Sequence, residues 1–258
     1  MARVKIRSPR ARTRLFTATR WRSLSNSLSA ADGSIHLGLA EQETNWKMAH
    51  KRPTTEYARR ILIRRAAQRL PTLRLRVLRI APAELPDRSK YEVPDYLCRS
   101  VVGQQLSAAA AGTIWRRLQE AAAAVGLSVS QFSLTRPPPE LRAYGVSGNK
   151  ARALRAVAEA HEAGLLCRKD LARIGHERRS AHLQQIWGVG QWTCDMMSIF
   201  YFREHDVWPE SDTSANNTLR RLMDADGVSG DTAEMANFFQ PVRSHLALYM
   251  WRIADSKD

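Results

Sequence analysis

The residue with the clearest chemical potential is Asp212, which follows the segment VWPES (207–211). Pro209 ends that extended segment, and the pattern over 213–223 predicts a helix that begins directly after Asp212. An aspartate in this place commonly caps a helix. A helix N-terminus also stabilises a carboxylate. A fixed anion can in turn stabilise the positive charge that develops on a sugar when its glycosidic bond breaks. Asp212 alone does not decide between cap and catalyst.

The sequence Gly188-Val189-Gly190 lies between two predicted helices, and Gly190 precedes Asp212 by 22 residues. Two glycines around one apolar residue allow a tight turn with positive φ. The helix that follows begins with free N–H groups, which attract a phosphate. An ordinary corner between two helices is the alternative interpretation.

Trp192 and Met196 lie one turn apart on one face of the helix after this corner. A flat aromatic ring beside a thioether could line a pocket for a base that has been flipped out of a duplex. The alternative is packing in the core. Trp187 and Trp208 are open to the same two interpretations.

The charge of the chain indicates a polyanionic partner, and nucleic acid is the commonest one. The 258 residues include 40 Lys and Arg against 25 Asp and Glu, a net charge of +15. Residues 1–52 supply +8 of this and residues 53–258 supply +7. A solubilising surface is the alternative explanation. The charge says nothing about chemistry.

The three cysteines, Cys98, Cys167 and Cys194, lie far apart and form no CxxC pair or Cys/His cluster. This spacing predicts reduced thiols and no structural metal or iron–sulfur cluster. No apolar run approaches the ~18 residues that a membrane helix needs, so we expect no membrane association.

The periodicity predicts a body that is nearly all α-helical, with no clear period-2 strand and no internal repeat. Helices are expected from Thr54, from about Pro94, over 107–125 and over 150–163. An irregular segment is expected over 75–91 and a proline-rich linker over 133–140. Further helices are expected over 167–174, 178–187, 191–202, 213–223, 231–238 and 242–254.

Residues 1–52 differ from the rest, because they are rich in Arg, Ser and Thr and contain no acid before Asp32. We predict a flexible, disordered basic extension, followed by one helical domain over 53–258. The extension fits a DNA-binding arm, an organelle transit peptide, or translation from an upstream start with Met48 as the internal start.

The combination of these features resembles the helix-hairpin-helix DNA glycosylase superfamily, which is named for such a hairpin, its Gly/Pro-rich loop and its aspartate. Within it, GVGQWT, DVWPESD and PVRSHLALYMWR are similar to the bacterial 3-methyladenine DNA glycosylase II family. VVGQQLSAAAAGTIWRRL (101–118) and YGVSGNKARALRAVAEA (144–160) are similar to that family's Gly-Gln-Gln-x-Ser and Gly-x-x-x-x-Lys-x-x-x-Leu segments. The resemblance covers about 94–253.

The resemblance implies two helical subdomains flanking a cleft, with the hairpin at about 178–202. It implies that Asp212 is the catalytic aspartate, that Trp192 and Met196 line the base pocket, and that Gln105 wedges into the gap left by the flipped nucleotide. A helix-cap hydrogen bond is the alternative role for Gln105. The remaining DNA contacts would come from a set of hairpin and helix residues: Gly188, Val189, Gly190, Lys150 and Arg152. For Lys150 and Arg152 the alternative is a solvated face.

The sequence departs from relatives in two respects. Relatives that also cleave the strand carry a Lys two residues after the second hairpin glycine, where it forms a Schiff base, whereas this chain has Trp192. The best-known family members also begin with a β-rich domain, while residues 1–90 here are basic and more helical. In those family members the β-rich domain contributes one side of the base pocket. In this chain, other residues would have to form that side.

The implied function is a monofunctional DNA glycosylase of base excision repair that removes alkylated bases such as 3-methyladenine or 7-methylguanine from duplex DNA. A glycosylase for deaminated or mismatched bases, or a non-catalytic DNA-binding module, is the alternative. We expect no organic cofactor, a monovalent cation at the hairpin carbonyls, and a monomer. The expected location is the cytoplasm at the nucleoid if the source is bacterial, or an organelle or the nucleus if residues 1–52 are a targeting segment.

Overall fold

A computed structural model describes residues 54–256, and every regular element in that range is helical, as predicted. The first helices are α1 (Thr55–Arg69), α2 (Pro71–Arg79), α3 (Val93–Gly103), α4 (Ala108–Ala123), α5 (Val129–Thr135), α6 (Pro138–Leu141) and α7 (Gly148–Glu162). They are followed by α8 (Arg168–Arg173), α9 (His176–Leu183), α10 (Gln191–Met196), α11 (Thr213–Ala225), α12 (Thr232–Asn237) and α13 (Arg243–Asp255). A 3₁₀ turn covers Arg142–Tyr144, and a π-helical turn covers Met197–Tyr201.

The predicted extension over 1–52 lies outside the described residues, and the division at residue 53 stays a prediction. Within 54–256, no helix combines the length and apolarity that crossing a membrane requires.

The larger core is built by α3, α4, α5 and α7 together with the hairpin helices α9 and α10. Its helices begin at strong caps. Ser107 accepts a hydrogen bond from Ala110 N, Ser147 accepts one from Lys150 N, and Ser128 forms a reciprocal capping box with Gln131. We call this part the hairpin subdomain, and its fully buried residues include Leu97, Leu118, Leu154 and Leu183.

The second core joins the N-terminal and C-terminal parts of the described chain, α1 and α2 with α11, α12 and α13. We call this part the Asp212 subdomain. The helices α1 and α2 run antiparallel, since the Arg59 guanidinium donates to the carbonyls of Val77 and Leu78. The Asp226 carboxylate accepts from the backbone N–H and the hydroxyl of Thr72, which fixes the start of α2 against the end of α11.

A small apolar cluster of Leu85, Met196, Ile199 and Val207 takes residues from both sides, and Trp192 and Trp251 pack against it. The two subdomains therefore meet where the chain carries most of its predicted site residues, as the resemblance implies.

Four predicted segments need correction. The helix predicted over 178–187 spans His176–Leu183, so residues 184–187 belong to the connection between α9 and α10. Residues 75–79 are not irregular, because they complete α2, which has Pro71 in its first turn. The linker at 133–140 is shorter than expected, because α5 continues to Thr135 and the prolines then start α6. The predicted helix over 191–202 changes at residue 197 into a π turn, in which Phe202 N donates to Met197 O.

Arg179 of α9 is 1% exposed and is the largest fully buried side chain of residues 54–256. Its guanidinium pairs with Glu204 and donates to the carbonyls of Leu171 and Ile174. Because a buried charge is tolerated only when it is paired and hydrogen-bonded, this residue ties α8 and α9 to the chain that follows the π turn.

We predict that Arg179→Ala lowers the free energy of unfolding by about 3 kcal/mol, because breaking a buried ion pair leaves groups without partners. The neighbouring Arg178 is exposed, so Arg178→Ala should change stability by no more than about 0.5 kcal/mol. Urea unfolding of both variants checks this. Equal stability of the two variants would contradict the structural role of Arg179.

Candidate active site

Asp212 is the N-cap of α11, and its carboxylate is held by three N–H donors. One oxygen accepts from the backbone N–H of Ala215 at 2.8 Å and from the indole of Trp251 at 3.0 Å. The other oxygen accepts from the indole of Trp192 at 2.8 Å. Asp212 is 9% exposed. The two interpretations of Asp212, a helix cap and a catalytic carboxylate, are therefore compatible. The capping hydrogen bond fixes the carboxylate, and the two indoles orient it further.

The side chains around this carboxylate are aromatic. The rings of Phe200 and Trp251 stack with their centroids 5.5 Å apart and an angle of 29° between their planes. Phe200, Trp251 and Trp192 are partly buried against the small apolar cluster, which includes Met196 at 6% exposure. The structure thus brings Trp192 and Met196 close to Asp212, and it adds Phe200 and Trp251, for which the sequence predicted no role.

Phe200 belongs to the π turn, and Trp251 belongs to α13. Trp251 lies in PVRSHLALYMWR, one of the segments that resemble the glycosylase family, so the resemblance could have indicated a role for it. Its partner Asp212 is 39 residues away along the chain. Only the packing of α13 against α11 brings the two together.

The predicted hairpin joins α9 to α10 through residues 184–190. Gly188 has φ +83°, and a Cβ on it would lie 2.4 Å from the Cβ of Ala153 in α7. Glycine is therefore required there by both conformation and space. Val189 is buried at 5% exposure, and Gly190 is the N-cap of α10. The two glycines present backbone at the surface, as a grip on a phosphate needs.

Gln105 lies in the turn between α3 and α4, where it is exposed and has φ +55°. The side chain of the preceding Gln104 spans to the hairpin and donates to Gly188 O at 3.0 Å and to the Thr193 hydroxyl at 2.9 Å. Gln104 thus joins the turn at Gln105, which we call the wedge turn, to the hairpin turn at Gly188–Gly190, which is the predicted phosphate site. The sequence did not predict this role for Gln104.

Lys150 and Arg152 lie on α7 beside these two turns. The Lys150 ammonium donates to Val102 O at 2.9 Å and to Gln104 O at 2.8 Å, so it satisfies carbonyls at the end of α3. Partial burial lowers the pKa of Lys150. Arg152 is exposed, with its guanidinium 4.0 Å from the ring centre of Trp187. Phosphate binding by Lys150 and Arg152 stays a prediction. Lys150 also has an internal role, because its ammonium binds the carbonyls at the end of α3.

An open groove of about 520 Å³ runs along α11 from the second residue after Asp212. It is lined by Ser214, Asn217, Thr218, Arg220, Arg221 and Ala254. Hydroxyl, amide and guanidinium groups of this kind commonly contact the phosphates and sugars of DNA. Among residues 54–256, no group of three or more His, Cys, Asp or Glu side chains could hold a metal ion.

Comparison with known proteins identifies the relatives of this chain. No protein-family model matches it. The chain is 30% identical over 197 residues to DNA-3-methyladenine glycosylase 1 of Schizosaccharomyces pombe, which covers 71% of this chain and 82% of that protein.

Several solved structures share the fold. The S. pombe 3-methyladenine DNA glycosylase in complex with abasic DNA is 26% identical with a TM-score of 0.68, over 77% of this chain and 97% of that one. A DNA-3-methyladenine glycosidase from Bacillus halodurans is 26% identical with a TM-score of 0.59, over 74% of this chain and 88% of that one. The chain therefore belongs to the DNA-3-methyladenine glycosylases of the helix-hairpin-helix DNA glycosylase superfamily.

Proposed function

We propose that this protein is a monofunctional DNA glycosylase that hydrolyses the N-glycosidic bond of alkylated bases in duplex DNA, as a step of base excision repair. The observation that carries the proposal is the buried Asp212 carboxylate, held by the indoles of Trp192 and Trp251 at the start of α11. A simple N-cap needs no indole donors, whereas a carboxylate that acts on a substrate must be held in one orientation.

Substrate binding begins at the DNA backbone in this proposal. The Gly188–Gly190 turn and the start of α10 bind a phosphate, and the side chain of Gln105 enters the duplex where the damaged nucleotide leaves it. Gln104 keeps these two elements at a fixed distance from each other. The flipped nucleotide then enters the space beside Asp212 and the Phe200–Trp251 stack.

The bond that breaks joins C1′ of the sugar to a nitrogen of the base. Its electron pair leaves with the base, and an alkylated purine such as 3-methyladenine or 7-methylguanine becomes neutral as it departs. The sugar becomes cationic, and Asp212 stabilises that charge. A water molecule adds to C1′ and loses a proton, which gives an abasic site and a free base.

Aromatic rings support a preference for cationic bases, because each good cation–π contact contributes roughly 0.5–2 kcal/mol. We therefore favour 3-methyladenine and 7-methylguanine over deaminated or mismatched bases. A charged base is already a good leaving group, so the site needs no strong general acid. The two side chains that donate to the Asp212 carboxylate are indoles.

We also propose a monomer without an organic cofactor and with a monovalent cation at the hairpin carbonyls. Gly188 O already accepts from Gln104, and a carbonyl oxygen has a second lone pair that could bind the ion. The protein would act wherever its DNA is, at the nucleoid if the source is bacterial, or otherwise in an organelle or the nucleus.

Replacing the carboxylate tests the central role directly. Asp212→Asn keeps the side-chain shape but removes the negative charge, so base release from methylated DNA should fall by at least 100-fold, about 2.7 kcal/mol or more. Binding to an abasic-site duplex should remain nearly unchanged. Asp224→Asn, an exposed position on the same helix, is the control and should keep full activity. Full activity of Asp212→Asn would refute the mechanism and favour a DNA-binding module.

The second indole donor gives a finer test. Trp251→Phe keeps a ring for stacking on Phe200 but removes the N–H that donates to Asp212. A hydrogen bond to a charged group contributes about 1.5–3 kcal/mol, so the single-turnover rate should fall about 10- to 150-fold. Trp115→Phe in the hairpin core is matched, because the Trp115 indole N–H has no partner among residues 54–256. Equal rates for both variants would show that Trp251 does not position the carboxylate.

The absence of strand cleavage is a separate expectation. The position at which related enzymes carry a Schiff-base lysine is Trp192, and its indole N–H is already bonded to Asp212. Borohydride added during turnover should therefore trap no covalent enzyme–DNA complex, and the abasic product should remain uncut until it is heated in alkali. A trapped complex would show that another amine attacks C1′.

A further inference from the structure

The two helices α1 and α2 hold the entire net charge of the described chain. Residues 55–79 contain eight arginines and one acid, a net charge of +7. Residues 80–256, which include the hairpin, the wedge turn and Asp212, contain 20 basic and 20 acidic residues and are neutral overall. The positive field of the body therefore originates outside the elements that form the candidate active site.

Most of these arginines are open to solvent. Five of them are exposed, namely Arg60, Arg64, Arg69, Arg74 and Arg79. No carboxylate of residues 54–256 forms an ion pair with any of the five. Arg60 and Arg64 are four residues apart on α1, as are Arg65 and Arg69, and like charges at this spacing destabilise a helix. A bound polyanion would remove that repulsion.

The C-terminal half of α1 also forms one wall of an open groove of about 580 Å³. Arg64, Arg65, Gln68, Asn237, Phe238 and Gln240 line it. Phe238 organises the charges, because the guanidinium carbon atoms of Arg65 and Arg69 lie 5.7 Å and 4.7 Å from its ring centre. Arg65 also donates to the carbonyl of Phe238. Fixed guanidinium groups with amides beside them form a surface that suits phosphate oxygens.

The Arg69 end of α1 lies well away from the Asp212 carboxylate. Thr72, three residues after Arg69, bonds to Asp226, and Asp226 follows Asp212 by 14 residues along α11. At 1.5 Å per residue, the Arg69 end of α1 is roughly 20 Å from Asp212. That distance corresponds to about six base pairs of duplex at 3.4 Å each, so phosphates bound there would not belong to the flipped nucleotide.

We propose that the exposed arginines of α1 and α2, together with the groove beside Phe238, form a second binding surface for the phosphate backbone of DNA. The surface supplies the sequence-independent affinity that keeps the protein on undamaged DNA, while the hairpin and Gln105 act at the lesion. Most of the sequence-independent attraction then comes from α1 and α2, because residues 80–256 carry no net charge.

The test compares two triple variants of the full chain that remove the same charge. Arg60→Gln, Arg64→Gln and Arg69→Gln change the proposed surface, while Arg117→Gln, Arg142→Gln and Lys169→Gln change exposed residues of the hairpin subdomain. The measurement is the affinity for an undamaged 30-base-pair duplex as a function of salt concentration. Each side chain that no longer neutralises a phosphate lowers the steepness of log K against log salt by about 0.9.

We expect the steepness to fall by about two to three for the α1 variant and by less than one for the control variant. The single-turnover rate of base release at saturating protein should stay the same in both variants, because neither touches the Asp212 site. An unchanged salt dependence for the α1 variant, or an equal reduction in the two variants, would overturn the proposal. Because the binding assay uses undamaged DNA, its result does not depend on whether the protein excises bases.

Discussion

A carboxylate that is almost fully buried must be surrounded by donors, because an unpaired buried charge costs several kcal/mol. Asp212 meets this requirement with one backbone N–H from its own helix and two indole N–H groups from two other helices. Trp192 comes from the hairpin subdomain and Trp251 from the Asp212 subdomain. The carboxylate can therefore be held only when both subdomains are correctly packed against each other.

The other elements of the site are connected to the place where Trp192 and Trp251 donate to Asp212. The helix α10 begins at the hairpin glycine Gly190 and carries Trp192, so the hairpin turn and one donor to the Asp212 carboxylate share one rigid element. Gln104 fastens the wedge turn to the same hairpin. The elements to which we assign the three tasks of holding the backbone, filling the gap and stabilising the sugar are thus mechanically joined. The strongly basic helices α1 and α2 pack against α11 and α13, and the start of α2 is bonded to Asp226 at the end of α11.

The sequence was sufficient to predict the helical class, the hairpin and the helix start at Asp212, because these depend on local features: glycines, a cap and a proline. The roles of Asp212 and Gln105 on DNA came from the family resemblance and stay predictions. It could not reveal that Trp251 donates to Asp212 or that Gln104 reaches Gly188, because both contacts join residues that are far apart in the chain. Lys150 appeared as a surface charge, yet its ammonium is bonded to carbonyls at the end of α3. The end of α2 was also missed, because residues 73–77 alternate apolar and basic residues, whereas the helix buries only Leu73 and Val77 of this run.

In the proposed mechanism, Asp212 faces a sugar that becomes cationic. The most direct measurement is a crystal structure of the protein bound to a duplex in which a cationic pyrrolidine ring replaces the sugar of the flipped nucleotide, as an analogue of the transition state. We expect a carboxylate oxygen of Asp212 within about 4 Å of the ring nitrogen, while the Gly188–Gly190 turn contacts a phosphate of the same strand. A pyrrolidine bound more than about 6 Å from Asp212, or excluded from the space beside Trp251, would contradict this mechanism.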